Sequence, residues 1–168
     1  VGSEMCIRDS LYETASTMGG SLKTKKSKSP TFLVWAMADA QGTNLQRVQI
    51  IKGWLDNGES KEKVYDATCS DGLEVDKSSH RCPDNGAKVN LNDCSISKNK
   101  GSRELKTLWK DPEFIEDQEA FYYVRVLENP VCRWSTWDAI RSNQLPRSDI
   151  KSTIQERAWS SPIWITNY

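Results

Sequence analysis

Residues 45–68 read LQRVQIIKGWLDNGESKEKVYDAT, and this stretch decides the fold class. Leu45–Trp54 and Lys61–Thr68 carry the apolar and β-branched residues typical of strands. Asp56-Asn57-Gly58 stands between them. An Asn-Gly pair in this position favours a type I′ turn, because that turn needs a positive φ at both central residues. The stretch therefore predicts a β-hairpin.

Strand patterns recur on both sides of this hairpin. Thr31–Ala38 (TFLVWAMA) is apolar on both alternating faces, which predicts a strand that is covered on both sides. Ala120–Glu128 (AFYYVRVLE) is aromatic and β-branched, as strands are. Further strands are predicted at Gly86–Asn92, where the pattern is weaker, and at Ile154–Trp159 and Ile163–Thr166, which are hinged at Ser160-Ser161-Pro162.

Helical signals are few and short. Asp111-Pro112 is typical of a helix start, with Asp as the N-cap, Pro at the first helical position and acids in the first turn. Arg133–Arg141 (RWSTWDAIR) favours one or two helical turns. No helical stretch of about ten residues separates the strands, which disfavours a parallel α/β sheet. The prediction is a mainly β, sandwich-like antiparallel domain with one or two short helices.

Composition and charge limit the partners and divide the chain. With 23 basic and 23 acidic residues, the chain has no overall attraction to nucleic acid, and no apolar run is long enough to span a membrane. Residues 1–10 resemble a non-native leader of the kind found in reading frames from environmental sequencing. Residues 11–30 are rich in Ser, Thr and Lys and predict a flexible linker. Residues 31–168 are the predicted β-rich C-terminal domain.

The cysteines point to disulfides. Apart from Cys6 there are four, and three of them lie in or beside the polar stretch 69–101, which has too few apolar residues to order itself by burial. An even number in such a stretch predicts two disulfides and an oxidising compartment. Of the three possible connectivities we favour Cys69–Cys82 with Cys94–Cys132. This pairing closes the loop locally and ties its end to the exit of a strand.

Metal sites are the alternative use of the same stretch. A zinc site of Cys69, His80, Cys82 and Cys94 stays open, although these residues lack the close Cys pair usual in structural zinc sites. His80 is otherwise expected to face solvent. A calcium site would use Asp71, Asp76, Asp84 and Asn85, but their spacing fits ordinary turns better. No metal ligand and no cofactor-binding residue is therefore predicted in this chain.

The sequence offers little catalytic chemistry. It has one histidine and lacks a phosphate-binding Gly-rich loop, a Gly-x-Ser-x-Gly elbow and a His-Glu-x-x-His motif. An acidic group could supply a paired carboxylate, but a charged helix face is the commoner use of such residues. Its members are Glu113, Glu116, Asp117 and Glu119. No catalytic residue is predicted.

One polar and aromatic cluster is a candidate pocket. Arg133-Trp134 and Trp137-Asp138 combine a guanidinium, a carboxylate and two indole rings within six residues. They would line a pocket if Arg133 held an anion and a Trp stacked on a ring. They would instead form a packed corner if Arg133 paired with Asp138. Both interpretations stay open at this point.

Several sequence blocks together resemble a known family. The strongest are 120–128 (AFYYVRVLE), 133–139 (RWSTWDA) and 154–164 (IQERAWSSPIW). Earlier blocks are 18–20 (MGG), 31–34 (TFLV), 49–54 (QIIKGW) and 62–66 (EKVYD). In this order, over about residues 17–168, they resemble the C-terminal end of the bacterial family catalogued as domain of unknown function 3604.

The resemblance implies a larger protein. Family members are several times longer, often exported, and their N-terminal part resembles PHP-type metal-dependent hydrolases with histidine-rich metal motifs. This sequence matches none of those motifs, so no catalytic residue carries over, and it has Ser21 where the family usually has Asp. The implied partner is the N-terminal catalytic domain of the same protein, which would hold the divalent metal, in the periplasm or outside the cell.

Two functions follow as hypotheses. The first is a non-catalytic accessory or structural β domain of an exported metal-dependent hydrolase of unknown substrate. The second is a stand-alone carbohydrate- or protein-binding β-sandwich that uses exposed tryptophans as stacking platforms. The exposure of Trp134 and Trp137 distinguishes them. Burial in a corner favours the accessory role, and a flat exposed row favours ligand binding.

Overall fold

The structure is a computed structural model that describes residues 15–23 and 29–166. Strands are the main secondary structure of the described residues, and the one helix among them is short. In chain order the strands are β1 Ser21–Lys23, β2 Thr31–Met37, β3 Leu45–Asp56, β4 Glu59–Cys69, β5 Glu104–Lys110, β6 Ala120–Glu128, β7 Val131–Cys132, β8 Thr153–Ile154, β9 Arg157–Trp159 and β10 Ile163–Thr166; the helix α1, Trp134–Arg141, lies between β7 and β8.

The larger sheet has six strands. Its order is β1-β10-β6-β3-β4, and β9 pairs with the distal part of β6. All neighbours are antiparallel except β1 and β10, which are parallel. The long strand β3 pairs with β4 on one side and β6 on the other. It is therefore the central element of the described structure.

The predicted hairpin is confirmed. Asp56 pairs with Glu59 at the end of β3 and β4, and the two residues between them have positive φ values, 51° at Asn57 and 82° at Gly58. These are the conformations that a type I′ turn requires. The Asn-Gly pair thus sets the register of β3 against β4.

A second, smaller sheet completes a sandwich. β2 and β5 pair antiparallel from Thr31 with Lys110 to Met37 with Glu104. One face of this pair packs on the larger sheet, and the buried cluster between them includes Phe32, Val34, Val48, Ile50, Leu105 and Tyr122. The predicted mainly β, sandwich-like architecture is confirmed. The strand β5 was not predicted from the sequence.

The expectation that Thr31–Ala38 is covered on both sides is wrong. Phe32 and Val34 are buried, but Leu33, Trp35 and Met37 are 74%, 66% and 72% exposed. The reason is topological. The smaller sheet has only two strands, and among the described residues the larger sheet covers only one of its faces.

Three further expectations need correction. Residues 111–112 begin no helix, because the Asp111 side chain is drawn into a buried network with Lys52 and Tyr122. Residues 86–92 form no strand and contribute only an isolated bridge between Val89 and Ile96. The expected strand 154–159 is divided between β8, which pairs with β7, and β9, which pairs with β6.

The expected linker 11–30 contains ordered structure. Ser21–Lys23 form β1, which pairs in parallel with residues 164–166 of β10. The Gly19 amide also donates to the Pro162 carbonyl at 2.9 Å. The expected leader, residues 1–10, and the lysine-rich residues 24–28 lie outside the described part of the chain.

Candidate functional site

The candidate site lies at the corner between β7 and α1. Here the Arg133 amide and the Thr136 hydroxyl both donate to the Ser152 carbonyl at 2.9 Å. Thr136 is only 1% exposed. Cys132, which ends β7, is joined to Cys94 by a disulfide. The start of the helix is therefore held against both the β7–β8 pair and the long loop.

A cavity of about 430 Å³ opens beside the first turns of α1. Trp134 lines this cavity and is 77% exposed, whereas Trp137 is half-buried. The Arg141 guanidinium lies 5.2 Å from the centroid of the Trp137 ring, a distance typical of a cation–π contact. The lining residues are Val131, Cys132, Arg133, Trp134, Ser135, Trp137, Arg141, Ile150, Ile154 and Glu156.

Arg133 is the unusual residue of this cavity. Its Nε is buried without a hydrogen-bond partner, and it is the one buried side-chain nitrogen or oxygen in this condition among the described residues. No carboxylate of the described residues lies within 4.0 Å of the Arg133 guanidinium. Buried polar groups are almost always hydrogen-bonded, so an unpaired one needs an explanation.

The structure brings together three of the four residues that the sequence singled out. Arg133, Trp134 and Trp137 line the cavity, while Asp138 is exposed and is not part of the lining. The packed corner with an Arg133–Asp138 pair is therefore not formed. The two tryptophans do not form a flat exposed row either, because one is exposed and the other is half-buried.

A buried polar network joins β3 and β6 to the segment that follows β5. The Lys52 ammonium and the Asp111 carboxylate are 2.8 Å apart with side chains 3% and 0% exposed, and the Tyr122 hydroxyl donates to Asp111 at 2.7 Å. Burial, followed by the bond to Asp111, raises the pKa of Tyr122. These groups satisfy one another, and none of them faces the cavity. The network therefore has a structural role.

Glu113 and His80 meet at the edge of this network. Glu113 accepts hydrogen bonds from Lys63 at 2.5 Å and Tyr65 at 2.9 Å, and the bond from Lys63 is the main cause of its lowered pKa. His80 Nε2 is 3.6 Å from Glu113, and its ring meets Tyr65 edge-on. The expectation that His80 simply faces solvent is therefore wrong. Glu113 also lies on no helix face.

The cysteines form the connectivity preferred from the sequence. Cys69 is bonded to Cys82 and Cys94 to Cys132, with Cα–Cα distances of 5.6 and 5.7 Å. Three of the four ligands of the alternative zinc site are therefore in disulfides. The described residues contain no group of three or more His, Cys, Asp or Glu side chains arranged to hold a metal ion. The two disulfides indicate an oxidising, extracytoplasmic environment.

The residues of the alternative calcium site serve the backbone of the loop. Asp71 accepts from the Gly101 amide, Asp76 from the amides of Ser78 and Ser79, and Asp84 from the Gly86 amide. Asn85 is 4% exposed and donates to Asn129 at 2.9 Å. Turn chemistry accounts for these side chains.

Sequence reasoning missed part of the cavity. Arg141 stands four residues after Trp137 on α1, and that spacing on a helix was the available signal for their contact. Ile150 and Glu156 come from beyond the helix and carry no local signal, because only the β7–β8 pairing brings them to the site. Lys52 and Asp111 are 59 residues apart and likewise meet only through the fold.

Comparison with known proteins gives one match. A family model described as protein of unknown function (DUF3604) matches residues 3–167. Neither the curated proteins nor the solved structures contain a match. No helix among the described residues has the length and apolar character that crossing a membrane requires. Since the family model spans nearly the whole sequence, the chain belongs to the DUF3604 family of proteins of unknown function.

Proposed function

We propose that this chain is the C-terminal accessory β domain of a longer exported family protein and docks on the remainder of that protein. It has no catalytic role of its own in this proposal. The remainder, by resemblance a metal-dependent hydrolase, would supply the metal ligands and the reaction. The observation that supports this role is the outer face of the β2–β5 sheet.

That outer face is apolar and exposed. Leu33 pairs directly with Leu108 across the two strands, and both point away from the core with 74% and 72% exposure. Trp35 and Met37 continue the same face along β2 at 66% and 72%. A contiguous apolar patch on a sheet is typical of an interaction surface. We call these four residues the docking face.

Charged residues surround the docking face. Lys106 lies 6.0 Å from the Trp35 ring centroid and 3.5 Å from Glu104, and Lys110 pairs with Thr31 at the other end. An apolar centre with a charged rim is the usual composition of a protein interface. With two lysines against one glutamate, the matching surface is expected to be apolar with an acidic rim.

The compartment is part of the same proposal. Disulfides persist in the periplasm or outside the cell, and the two in this chain fix the long loop 69–101. A protein assembled there is the expected parent. Its divalent metal would be bound by the histidine-rich part of the family polypeptide and not by this domain.

The test mixes this chain with the separately expressed N-terminal part of a longer family member. Analytical ultracentrifugation should show a one-to-one complex. Leu33→Glu should weaken the complex at least tenfold, because it buries a charge at the centre of the interface. Leu145→Glu is the matched control, since Leu145 is 94% exposed and lies outside the docking face. No complex, or equal loss with both variants, would overturn the docking role.

A second candidate function is supported by Trp134. An indole that is 77% exposed at the mouth of a cavity is a ready platform for a ligand ring. This favours a carbohydrate- or protein-binding module that works without the rest of the family polypeptide. Calorimetric titration of the isolated chain with a neutral and an acidic sugar tests it, and retained affinity in Trp134→Ala would count against it.

A further inference from the structure

We propose that the cavity beside α1 binds a sugar residue that carries one negative charge, either a carboxylate or a sulfate. The proposal rests on the second candidate function and names its ligand class. It does not depend on the docking face, which lies on another sheet. Four features of the cavity lead to it: charge, an unpaired donor, aromatic rings and size.

The charge of the cavity favours a singly charged anion. Its lining contains two cations, Arg133 and Arg141, and one carboxylate, Glu156. Among the described residues neither arginine has a carboxylate within 4.0 Å of its guanidinium. The net balance of one positive charge matches one carboxylate or sulfate. It suits a doubly charged phosphate less well, because Glu156 would repel the second charge.

The unpaired donor on Arg133 indicates where the anion binds. A buried N–H without an acceptor costs about 1–3 kcal/mol, and Nε of Arg133 is in this condition. A guanidinium presents Nε and one Nη as a planar fork that fits two oxygens of a carboxylate or sulfate. In the proposed complex the Arg133 side chain rotates toward the cavity, so that both donors reach the oxygens of the anion. Anion binding then removes an unfavourable state of the free protein.

The aromatic rings favour a sugar over a small inorganic anion. Trp134 offers a largely open ring at the cavity, and Trp137 is already covered on one face by Arg141 at 5.2 Å. An exposed indole stacks on the apolar C–H face of a sugar ring while the hydroxyls stay in contact with water. Ile150 and Ile154 add an apolar wall. A free sulfate or acetate ion would use none of these surfaces.

The size and rigidity of the cavity agree with one sugar residue. Its volume of about 430 Å³ lies within the range of about 300–1,000 Å³ that is usual for small-molecule sites. The Cys94–Cys132 disulfide and the bonds from Arg133 and Thr136 to Ser152 hold the corner in place. A fixed frame lowers the entropy lost on binding. The ligand is therefore a terminal or single acidic sugar residue.

The test is calorimetric titration of the whole chain at low salt with glucuronic acid, glucose 6-sulfate and glucose. Both acidic sugars should bind more tightly than glucose by at least tenfold. Arg133→Gln should reduce the affinity for the acidic sugars about tenfold or more, the effect of losing a charged hydrogen bond. Arg133→Lys keeps the positive charge but lacks the planar fork of donors, so it should retain only part of the native affinity for the acidic sugars. Trp134→Ala should lower the affinity for all three sugars.

Controls separate the ligand class from the wider binding role. Trp159→Ala removes an indole that is 59% exposed but outside the cavity lining, and it should leave every affinity unchanged. Far-ultraviolet circular dichroism and the urea unfolding midpoint of each variant verify that its fold is intact. Equal binding of glucose and the acidic sugars would overturn the acidic ligand and leave the second candidate function standing. If none of the three sugars binds, or if Trp159→Ala loses as much affinity as Trp134→Ala, both the acidic ligand and the carbohydrate-binding role of this cavity are overturned.

Discussion

Gly58 and Gly101 share a backbone φ of 82° but differ in what surrounds them. A Cβ at Gly58 would meet nothing within 4 Å, because the hairpin turn is open. A Cβ at Gly101 would lie 2.6 Å from Asn129 Nδ2, 2.6 Å from the Asn44 Cβ and 2.8 Å from the Leu45 carbonyl oxygen. Asn129 is 2% exposed and donates to the Lys100 carbonyl at 2.9 Å, so it has little room to move.

The two glycines give a matched pair of variants. Gly58→Ala should lower the free energy of unfolding by about 1–2 kcal/mol, the cost of the left-handed conformation for an L residue. Gly101→Ala should lower it by about 1–3 kcal/mol more, because overpacking is added to the same backbone strain. Urea unfolding of both variants measures the difference. Equal losses would show that the backbone at Gly101 relaxes freely.

Glu128 is a carboxylate whose surroundings disfavour its charge. Burial is the largest cause of its raised pKa, followed by repulsion from Glu156, with Asp39 adding a smaller effect. A carboxyl whose pKa is higher in the folded than in the unfolded state favours folding only while it is protonated. This contribution is complete below the unfolded pKa of about 4.3. This stabilisation is lost as the pH rises through the folded pKa. At neutral pH the charged form therefore destabilises the protein.

Glu128→Gln should therefore raise the free energy of unfolding at pH 7, by at most about 1 kcal/mol after solvent screening is allowed for. The amide keeps an oxygen for the hydrogen bond from the Thr43 backbone. The gain should shrink as the pH falls toward about 4, where the native carboxyl becomes protonated. Urea unfolding at pH 7 and pH 4 measures it. Glu62→Gln, at an exposed position, is the control and should show no such pH-dependent gain.

At the scale of elements, the sequence predicted the features that depend on residues close together in the chain. The Asn57-Gly58 turn fixed its own hairpin, and Arg133–Arg141 did become two helical turns. β5 was missed because ELKTLWK is short, has only three apolar residues, and loses the alternation that predicts a strand where Leu108 and Trp109 are adjacent. Asp111 carries the local pattern of an N-cap, and its carboxylate does accept the Glu113 amide. Its bonds to Lys52 and Tyr122 are non-local, and these override the helix.

The disulfides are the elements that hold the long polar loop. Cys69–Cys82 and Cys94–Cys132 are separated by 13 and 38 residues in sequence. Loop-closure entropy gives about 3 kcal/mol for the shorter loop and about 4 kcal/mol for the longer one. Replacing both cysteines of a pair by Ala should lower the free energy of unfolding by these amounts, in this order.

Two measurements test the disulfides. Mass spectrometry of peptides from the unreduced protein should recover the two expected pairs, and guanidinium unfolding of the two double variants should give the ranking. Four free thiols in protein folded under oxidising conditions, or one bound zinc ion per chain, would contradict the pairing. A larger loss for the shorter loop would show that residual structure or enthalpy dominates over chain entropy.

At the scale of the whole molecule, the sequence indicated the sandwich but not its uncovered faces. Alternation along a strand shows which side chains share a face, and it does not show how many layers the fold supplies to cover them. The apolar pattern of Thr31–Ala38 therefore predicted a strand buried on both faces. In the structure the two-stranded β2–β5 sheet is buried on one face only. The cavity was only half predictable for a related reason. Its helix residues are local, but Ile150 and Glu156 reach it through pairing of distant strands.

The uncovered docking face should make the isolated chain self-associate. Leu33, Trp35, Met37 and Leu108 expose a continuous apolar surface, and such a surface binds hydrophobic dyes and promotes aggregation on mild heating. The double variant Leu33→Lys with Leu108→Glu should suppress both effects. Because the two positions are directly opposite on β2 and β5, the new charges form a cross-strand pair, and the sheet should keep its stability to within about 1 kcal/mol.

Dye fluorescence, light scattering during heating and urea unfolding measure the three quantities on the same samples. Leu145→Lys is the control, because Leu145 is 94% exposed yet isolated from this face, and it should leave dye binding and aggregation as in the native chain. Suppression by the double variant alone would tie self-association to the docking face. A native chain that is a monodisperse monomer with a sharp, high melting transition would instead show that this face needs no cover, and would favour the independent binding domain.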